Sequence, residues 1–417
     1  MNLLTRFEFQ KILRRKTTLA GIGCMLLFTL LSVYLSVHGV QWTDEKGDDL
    51  NGKAGISLKR QQTHELAGNL DPVKISMVLE RYQKADNDPD NQVPSPDGNG
   101  MVLSNEAYGK FIARDSAITN LIRSVFSPVD GYDYYVIDSM TAEEAAGFYE
   151  VRRDKIKQRL NMDYTYGNYT EADKAYFLEK NDKLAVPFKF DYAEGWEKVL
   201  QNLSALGMVA AFVISLSLAP MFAGEYQSGA DSLILSSRYG QTKLIMAKLR
   251  AGILFTTGFF WITNLILLVL TLLFFGINGW NSNLQIIAIM SPYGFTLLQT
   301  YLLSVLIGYL ACLMIMALTL VLSAVMRSPF QVIIVTAAVL IVPMFIPDSK
   351  RSRLFNHMMS LLPSNMLEGY TSFTTNEVYH MFGQLVPQPY VIAGTAVVFT
   401  LLLLPVAYRR FSTHQVA

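Results

Sequence analysis

Residues 223–250, with the sequence AGEYQSGADSLILSSRYGQTKLIMAKLR, form a polar stretch between two long apolar runs of this 417-residue chain. The runs cover residues 203–222 and 251–275, and each is close to the roughly 20 apolar residues that a helix needs to cross a bilayer. The polar stretch is therefore predicted to connect two spans at one face of a membrane. Since 51% of the whole chain is hydrophobic and the apolar residues cluster in such runs, we predict an all-α integral membrane protein.

The charges of the polar stretch indicate which face of the membrane it lies on. Lys243, Lys248 and Arg250 precede the second run, and basic residues near the ends of spans mark the cytoplasmic side. Within the stretch, residues 230–236 are predicted to form a short helix along the membrane surface. Its apolar centre is flanked by serine and arginine, as expected for a segment that lies at an interface.

The remaining apolar runs extend this prediction to six transmembrane helices. They cover residues 18–38, 295–326, 330–346 and 390–408, in addition to the two runs beside the polar stretch. Residues 1–17 mix apolar and basic side chains and are predicted to form an amphipathic helix on anionic headgroups. If the amino terminus is inside, twelve basic residues lie in inner segments, whereas the short outer loops hold only Lys350, Arg351 and Arg353. Both termini are therefore predicted to be cytoplasmic.

Residues 39–200 have a different character from the rest of the chain. They hold 28 acidic and 20 basic residues, a net charge of −8, whereas the remainder has 6 acidic and 15 basic residues, a net of +9. Long domains cross a membrane regardless of their charge, so this segment is predicted to be an extracytoplasmic domain inserted between the first two spans.

Helix start signals indicate that this inserted domain is mostly helical. Asp71 before a proline and Ser104 are candidate caps, and Thr141 and Thr170 each have an acidic residue three positions later, as in a capping box. The domain is also rich in tyrosine, which could either line a ligand-binding face or pack in the core. The residues concerned are Tyr132, Tyr134, Tyr135, Tyr149, Tyr164, Tyr166, Tyr169, Tyr176 and Tyr192.

The pattern of the polar stretch resembles the cytoplasmic coupling loop of type-2 ATP-binding-cassette (ABC) exporter permeases. That resemblance implies docking into a cleft on a separate ATPase subunit, with Glu225 and Arg238 facing that subunit and an apolar ridge seated in the cleft. The candidate partner-binding residues are Glu225, Tyr226, Gly229, Leu233, Ile234, Leu235, Arg238 and Lys248. The alternative is a basic connector that only sets orientation, although Glu225 and Asp231 add nothing to such a signal.

Other segments share the resemblance to this family. Residues 1–17 resemble the amphipathic elbow helix before the first span, and residues 357–370 resemble the short re-entrant helices before the last one. The inserted domain is similar to those of large-ectodomain permeases common in Gram-positive bacteria. The resemblance implies a second permease chain, identical or homologous, and an ABC ATPase that carries the ATP and magnesium. No cofactor on this chain and no nucleic-acid partner are expected.

The absence of catalytic motifs narrows the function classes. The sequence has no GxxxxGK[ST], HExxH or GxSxG motif, and its two cysteines, Cys24 and Cys312, lie in separate spans. The spans are almost free of ionisable residues, which argues against an ion-coupled carrier and is compatible with a lipid-like or amphipathic substrate. The alternatives are a membrane sensor whose outer domain binds a ligand, which would need an effector domain, and a membrane-embedded enzyme, which would need convergent polar groups.

Overall fold

The computed structural model describes residues 2–95, 100–163, 168–237, 239–349 and 351–414, which are mostly helical. The α-helices of this part of the chain are α1 (Leu3–Leu13), α2 (Lys16–His38), α3 (Gly52–Glu65), α4 (Pro72–Asp86), α5 (Asn105–Ala107), α6 (Ser116–Phe126), α7 (Ala142–Ala146), α8 (Phe148–Asn161), α9 (Glu171–Asp182), α10 (Glu194–Leu218), α11 (Ala223–Ser228), α12 (Ala230–Ser236), α13 (Ile245–Phe275), α14 (Leu297–Val325), α15 (Pro329–Ile341), α16 (Arg353–Met359), α17 (Pro363–Met366) and α18 (Gln388–Ser412).

Short strands form four antiparallel pairs within the same described ranges. The pairs are β1 (Gln41–Thr43) with β2 (Asp49–Asn51), β3 (Gly68–Asn69) with β6 (Lys189–Phe190), β4 (Gln92–Pro94) with β5 (Met101–Leu103), and β7 (Val378–Met381) with β8 (Gln384–Pro387). With two to four residues per strand, these pairs close loops between helices and leave the fold helical.

Among the residues that the structure describes, five helices are long and apolar enough to cross a membrane: α2, α10, α13, α14 and α18. They correspond to five of the six predicted spans. The predicted fifth span, residues 330–346, corresponds to a shorter apolar helix, Pro329–Phe345, which consists of α15 and a 3-10 turn, Val342–Phe345. The change from α to 3-10 geometry coincides with Pro343, whose ring removes a backbone N–H donor. The sixth span therefore stays a prediction.

Helix α14 lies at the centre of the apolar bundle and contacts α10, α13 and α18. Its first turn is fixed by a capping box in which Thr296 and Gln299 satisfy each other's backbone N–H groups. Some polar side chains within the bundle bond to each other, as do the Ser215 and Thr319 hydroxyls, which are 3.1 Å apart. On the outside, α2 and α18 expose apolar residues such as Leu27 and Leu401, as expected for surfaces that face lipid.

The inserted domain, residues 39–200, begins its helices where the sequence predicts. Asp71 and Ser104 accept hydrogen bonds from the first turns that follow them, and Thr141 and Thr170 form complete capping boxes. The sequence after Thr141 predicts one charged helix to residue 159, but the structure divides this segment into α7 and α8 at Gly147. The domain core joins α4, α6 and α8 through buried aliphatic residues and Phe148.

The tyrosines of the inserted domain divide between core and surface. Tyr192 is buried, and the Tyr149 hydroxyl donates to the Leu70 carbonyl at 2.7 Å, so both are part of the packing. Tyr132 and Tyr135 are exposed. Tyr164 and Tyr166 lie outside the described residues.

Polar contacts join the inserted domain to later segments of the chain. The buried Arg152 guanidinium donates to the carbonyls of Ile289 and Ser291, at 2.7 and 3.2 Å, in the connection between α13 and α14. Asp173, at the start of α9, pairs with Arg353 at 3.4 Å and with His380 at 2.9 Å. Asp173 is only 3% exposed, and Arg353 supplies a positive charge beside its buried carboxylate.

Candidate functional site

The connection between α10 and α13 forms two short helices separated by a glycine turn. Helix α11 ends at Gly229, whose φ of +69° is left-handed and so favours glycine, and α12 starts at the next residue. Gly240 lies so close to α12 that a Cβ at residue 240 would be 1.6 Å from the carbonyl oxygen of Ile234. The turn beyond α12 therefore requires glycine at residue 240.

A buried ion network holds this connection against the start of the chain. Lys248, at the head of α13, is fully buried, and its ammonium lies 3.0 Å from the Glu8 carboxylate of α1 and 2.9 Å from the Glu225 carboxylate of α11. Glu8 and Glu225 are themselves only 3% and 6% exposed. Lys248 thus joins α11 and α13 to α1, whose Glu8 lies 240 residues earlier in the sequence.

Two more cations from the start of the chain complete the network. Lys11 contacts the Glu225 carboxylate at 2.6 Å, and Arg15 donates to the carbonyl of Ser217 at 3.2 Å. Burial by itself would raise the pKa of Glu225, but Lys248 and Lys11 together lower that pKa below its usual range. Glu225 is therefore ionised at neutral pH and keeps its ion pairs.

The connection is fixed to the end of the apolar bundle as well. The Tyr226 hydroxyl donates to the Ala324 carbonyl of α14 at 2.9 Å, and its ring packs on Phe411 and His414 near the end of α18. Burial, reinforced by the nearby Asp231 charge, raises the pKa of Tyr226 to about 12, so the hydroxyl remains a donor. The imidazole of His414 also lies 3.5 Å from the Asp231 carboxylate.

The apolar triplet of α12 has one outward and one inward side chain. Leu233 is 75% exposed, whereas Leu235 is 7% exposed and belongs to the main hydrophobic core. Ile234 is partly buried against the same core. Leu233 is therefore the outward-facing member of the triplet.

The predicted partner-binding residues therefore separate into supporting and exposed groups. Glu225, Tyr226, Lys248 and Leu235 contact the rest of this chain, Gly229 sets the turn, and Leu233 faces outward. The predicted contact of Glu225 and Lys248 with an ATPase remains a prediction; within this chain both side chains are buried and hold the loop in place. Arg238 lies outside the described residues.

The sequence analysis missed the partners on other helices, which are Glu8, Lys11, Ser323 and Phe411. The Ser323 hydroxyl accepts hydrogen bonds from the backbone N–H groups of Phe222 and Ala223, at 2.9 and 3.0 Å, and so fixes the start of the connection. Glu8 offered one signal, because it is the single acidic residue in an otherwise basic amino-terminal segment. Nothing in the sequence relates it to Lys248.

The fold and this site define a multi-pass membrane protein with a rigidly supported connection at one end of its bundle. Residues 3–415 match the family described as ABC-2 family transporter protein, so the chain belongs to that family. It is the permease component of an ABC transporter, and membership implies that it works in a membrane with an ABC ATPase. A comparison with curated proteins gives no match, and neither does a comparison with solved structures.

Proposed function

We propose that the chain is the permease subunit of an ABC exporter and that the connection at residues 223–250 docks on a separate ATPase subunit. In this proposal ATP and magnesium bind to the ATPase. The connection and both termini are cytoplasmic, and the inserted domain is extracytoplasmic. Two permease chains, identical or homologous, would form the transport unit with two ATPase chains.

The buried ion network is the observation that carries this proposal. A loop that transmits movement from an ATPase must be rigid, and the ion pair between Glu225 and Lys248 joins its two ends. Glu8 and Lys11 add the helix α1, which resembles an elbow helix at a membrane surface. Movement of α12 would thereby be passed to α13 and α1 together.

The chemistry of the apolar helices supports an amphipathic or hydrophobic substrate, such as a peptide, a drug or a lipid-like molecule. The α14 and α18 sequences between residues 297–325 and 388–408 contain no acidic or basic side chain. Without ionisable groups at mid-bundle, the chain has no proton or sodium relay of its own within these helices. The energy for transport would come from ATP hydrolysis on the partner.

The experiment compares Leu233→Asp with Val73→Asp, a matched change at a 78% exposed apolar residue of the inserted domain. If Leu233 is seated in an apolar cleft, the new charge should weaken capture of the ATPase by about 100-fold or more. Val73→Asp should retain wild-type binding. The readouts are co-purification of the ATPase and its substrate-stimulated hydrolysis. If the Leu233→Asp variant captured the ATPase and stimulated its hydrolysis as the wild type does, the loop would be only a connector and the proposal would be refuted.

A further inference from the structure

A cavity of about 290 Å3 opens on the inserted domain, far in sequence from the connection described above. One wall is the last turn of α4, with Arg81 and Lys84, and the other is the segment that precedes α6, with Lys110 and Arg114. Phe111, which is 38% exposed, also lines the cavity, and the Lys110 ammonium lies 5.2 Å from the centroid of its ring. Four cations and one aromatic ring thus surround a single space.

The acidic residues of the cavity neutralise only part of this positive charge. The Asp88 carboxylate accepts the backbone N–H of Asp90 at 3.1 Å. The Asp115 carboxylate is buried and accepts from Arg81 at 2.7 Å. The cavity wall retains a formal charge of +2, within a domain whose net charge is −8. A positive pocket in an acidic domain attracts anions that the rest of the domain surface repels.

Several donors in the cavity wall are unused. The Nε atoms of Arg81 and Arg114 are both buried and, among the described residues, have no hydrogen-bond partner. The ammonium groups of Lys84 and Lys110 make no ion pair with any residue that the structure describes. Arg114 reaches Glu65 only at 3.7 Å, beyond hydrogen-bond distance. Lys84 and Lys110 are exposed, but the two buried Nε–H groups cost free energy without a partner, so their presence in residues that line a cavity points to a ligand that supplies acceptors.

We propose that this cavity binds the phosphate group of an anionic ligand. Two planar guanidinium groups and two ammonium groups match the several acceptor oxygens and the double negative charge of a phosphate better than those of a single carboxylate. Phe111 offers a face for an apolar or aromatic group attached to that phosphate. The phosphate belongs either to a soluble ester or to a lipid headgroup. This site is independent of the proposed docking of an ATPase.

The test uses the full-length protein in a maltoside detergent and phenyl phosphate as the probe, with binding measured by calorimetry. The informative variant is Lys84→Gln with Lys110→Gln, because it leaves the buried Arg81–Asp115 pair intact. The control is Lys53→Gln with Lys157→Gln, two exposed lysines of the same domain that lie outside the cavity. Both variants change the net charge equally.

Saturable binding by the wild type, weakened about tenfold or more in the cavity variant and unchanged in the control, is the expected result. Competition by phosphatidic acid vesicles, but not by phosphatidylcholine vesicles, would identify a lipid headgroup as the source. An absence of competition would identify a soluble ester; both results support the site. No binding by the wild type, or equal loss in the cavity and control variants, would overturn it.

Discussion

Replacing Lys248 by glutamine removes the one cation that joins α1, α11 and α13, and the structure sets the size of the effect. Lys248 is fully buried, and Glu8 has no other ion-pair partner in the part of the chain that the structure describes. Breaking a buried pair by removal of one partner costs about 3–5 kcal/mol, because the remaining charge is left uncompensated. The free energy of unfolding of Lys248→Gln should fall by that amount.

A double-mutant cycle separates the ion pair from other effects of the substitution. Glu8→Gln combined with Lys248→Gln leaves two neutral groups that can still bond to each other, so the double variant should be less destabilised than the sum of the singles. We expect a coupling free energy of about 2 kcal/mol, within the range for residues in one buried network. Equilibrium unfolding in mixed micelles measures all four proteins under the same conditions.

The exposed pair Glu179–Lys183 on α9 and just beyond it is the matched control. Its side chains are 65% and 73% exposed, and such i,i+4 pairs contribute less than about 1 kcal/mol. The same cycle on this pair should therefore give a small coupling free energy that decreases with added salt. If the Glu8–Lys248 coupling free energy were no larger than this, the buried network would not hold the loop, and the stabilising role of Lys248 would be refuted.

Three further results are expected. Gly240→Ala should destabilise the connection, because the new Cβ would overlap a carbonyl oxygen, and hydrogen exchange in α12 should become faster. Gly258→Ala is the control and should leave that exchange unchanged, because a Cβ there meets nothing within 4 Å. The lowered pKa of Glu225 means that its stabilising effect is present above about pH 4.3, the pKa of an unperturbed glutamate, and is lost as the pH falls through the folded-state value. The difference in melting temperature between wild type and Glu225→Gln should thus be constant near neutral pH and shrink below about pH 4; a difference that persists there would contradict the pairing. Single cysteines at Ser228 and Asp130, in a background without native cysteines, should react oppositely with an impermeant reagent in intact cells; labelling of residue 228 alone from outside would reverse the proposed orientation.

Local signals in the sequence were sufficient to predict much of the helical structure. Each capping box depends on two residues three positions apart, so Thr141 and Thr170 marked the starts of α7 and α9 correctly. Helix α12 also has the predicted bounds, because an apolar centre between polar flanks is a local pattern. The division at Gly147 was missed, since a glycine inside a helical pattern is often tolerated.

The supporting contacts of the candidate site could not be predicted in the same way. Glu8 and Lys248 are 240 residues apart, and the pair exists only because α1 packs across the head of α13. A basic residue at the start of a span is also an ordinary topology signal, so Lys248 gave no reason to expect a buried ion pair. The sequence therefore indicated a connection with a special pattern, and tertiary packing decided which of its side chains are available to a partner.

The contacts of the inserted domain have a consequence for the order in which the chain is synthesised. Asp173 leaves the ribosome long before its partners, and His380 follows it by 207 residues. At typical rates of about 5–20 residues per second, that carboxylate waits roughly 10–40 s for its last partner. Arg152 likewise precedes the carbonyls that it binds in the connection between α13 and α14. The inserted domain can form its own core early, but the contacts of Asp173 with Arg353 and His380 must wait until those residues are translated.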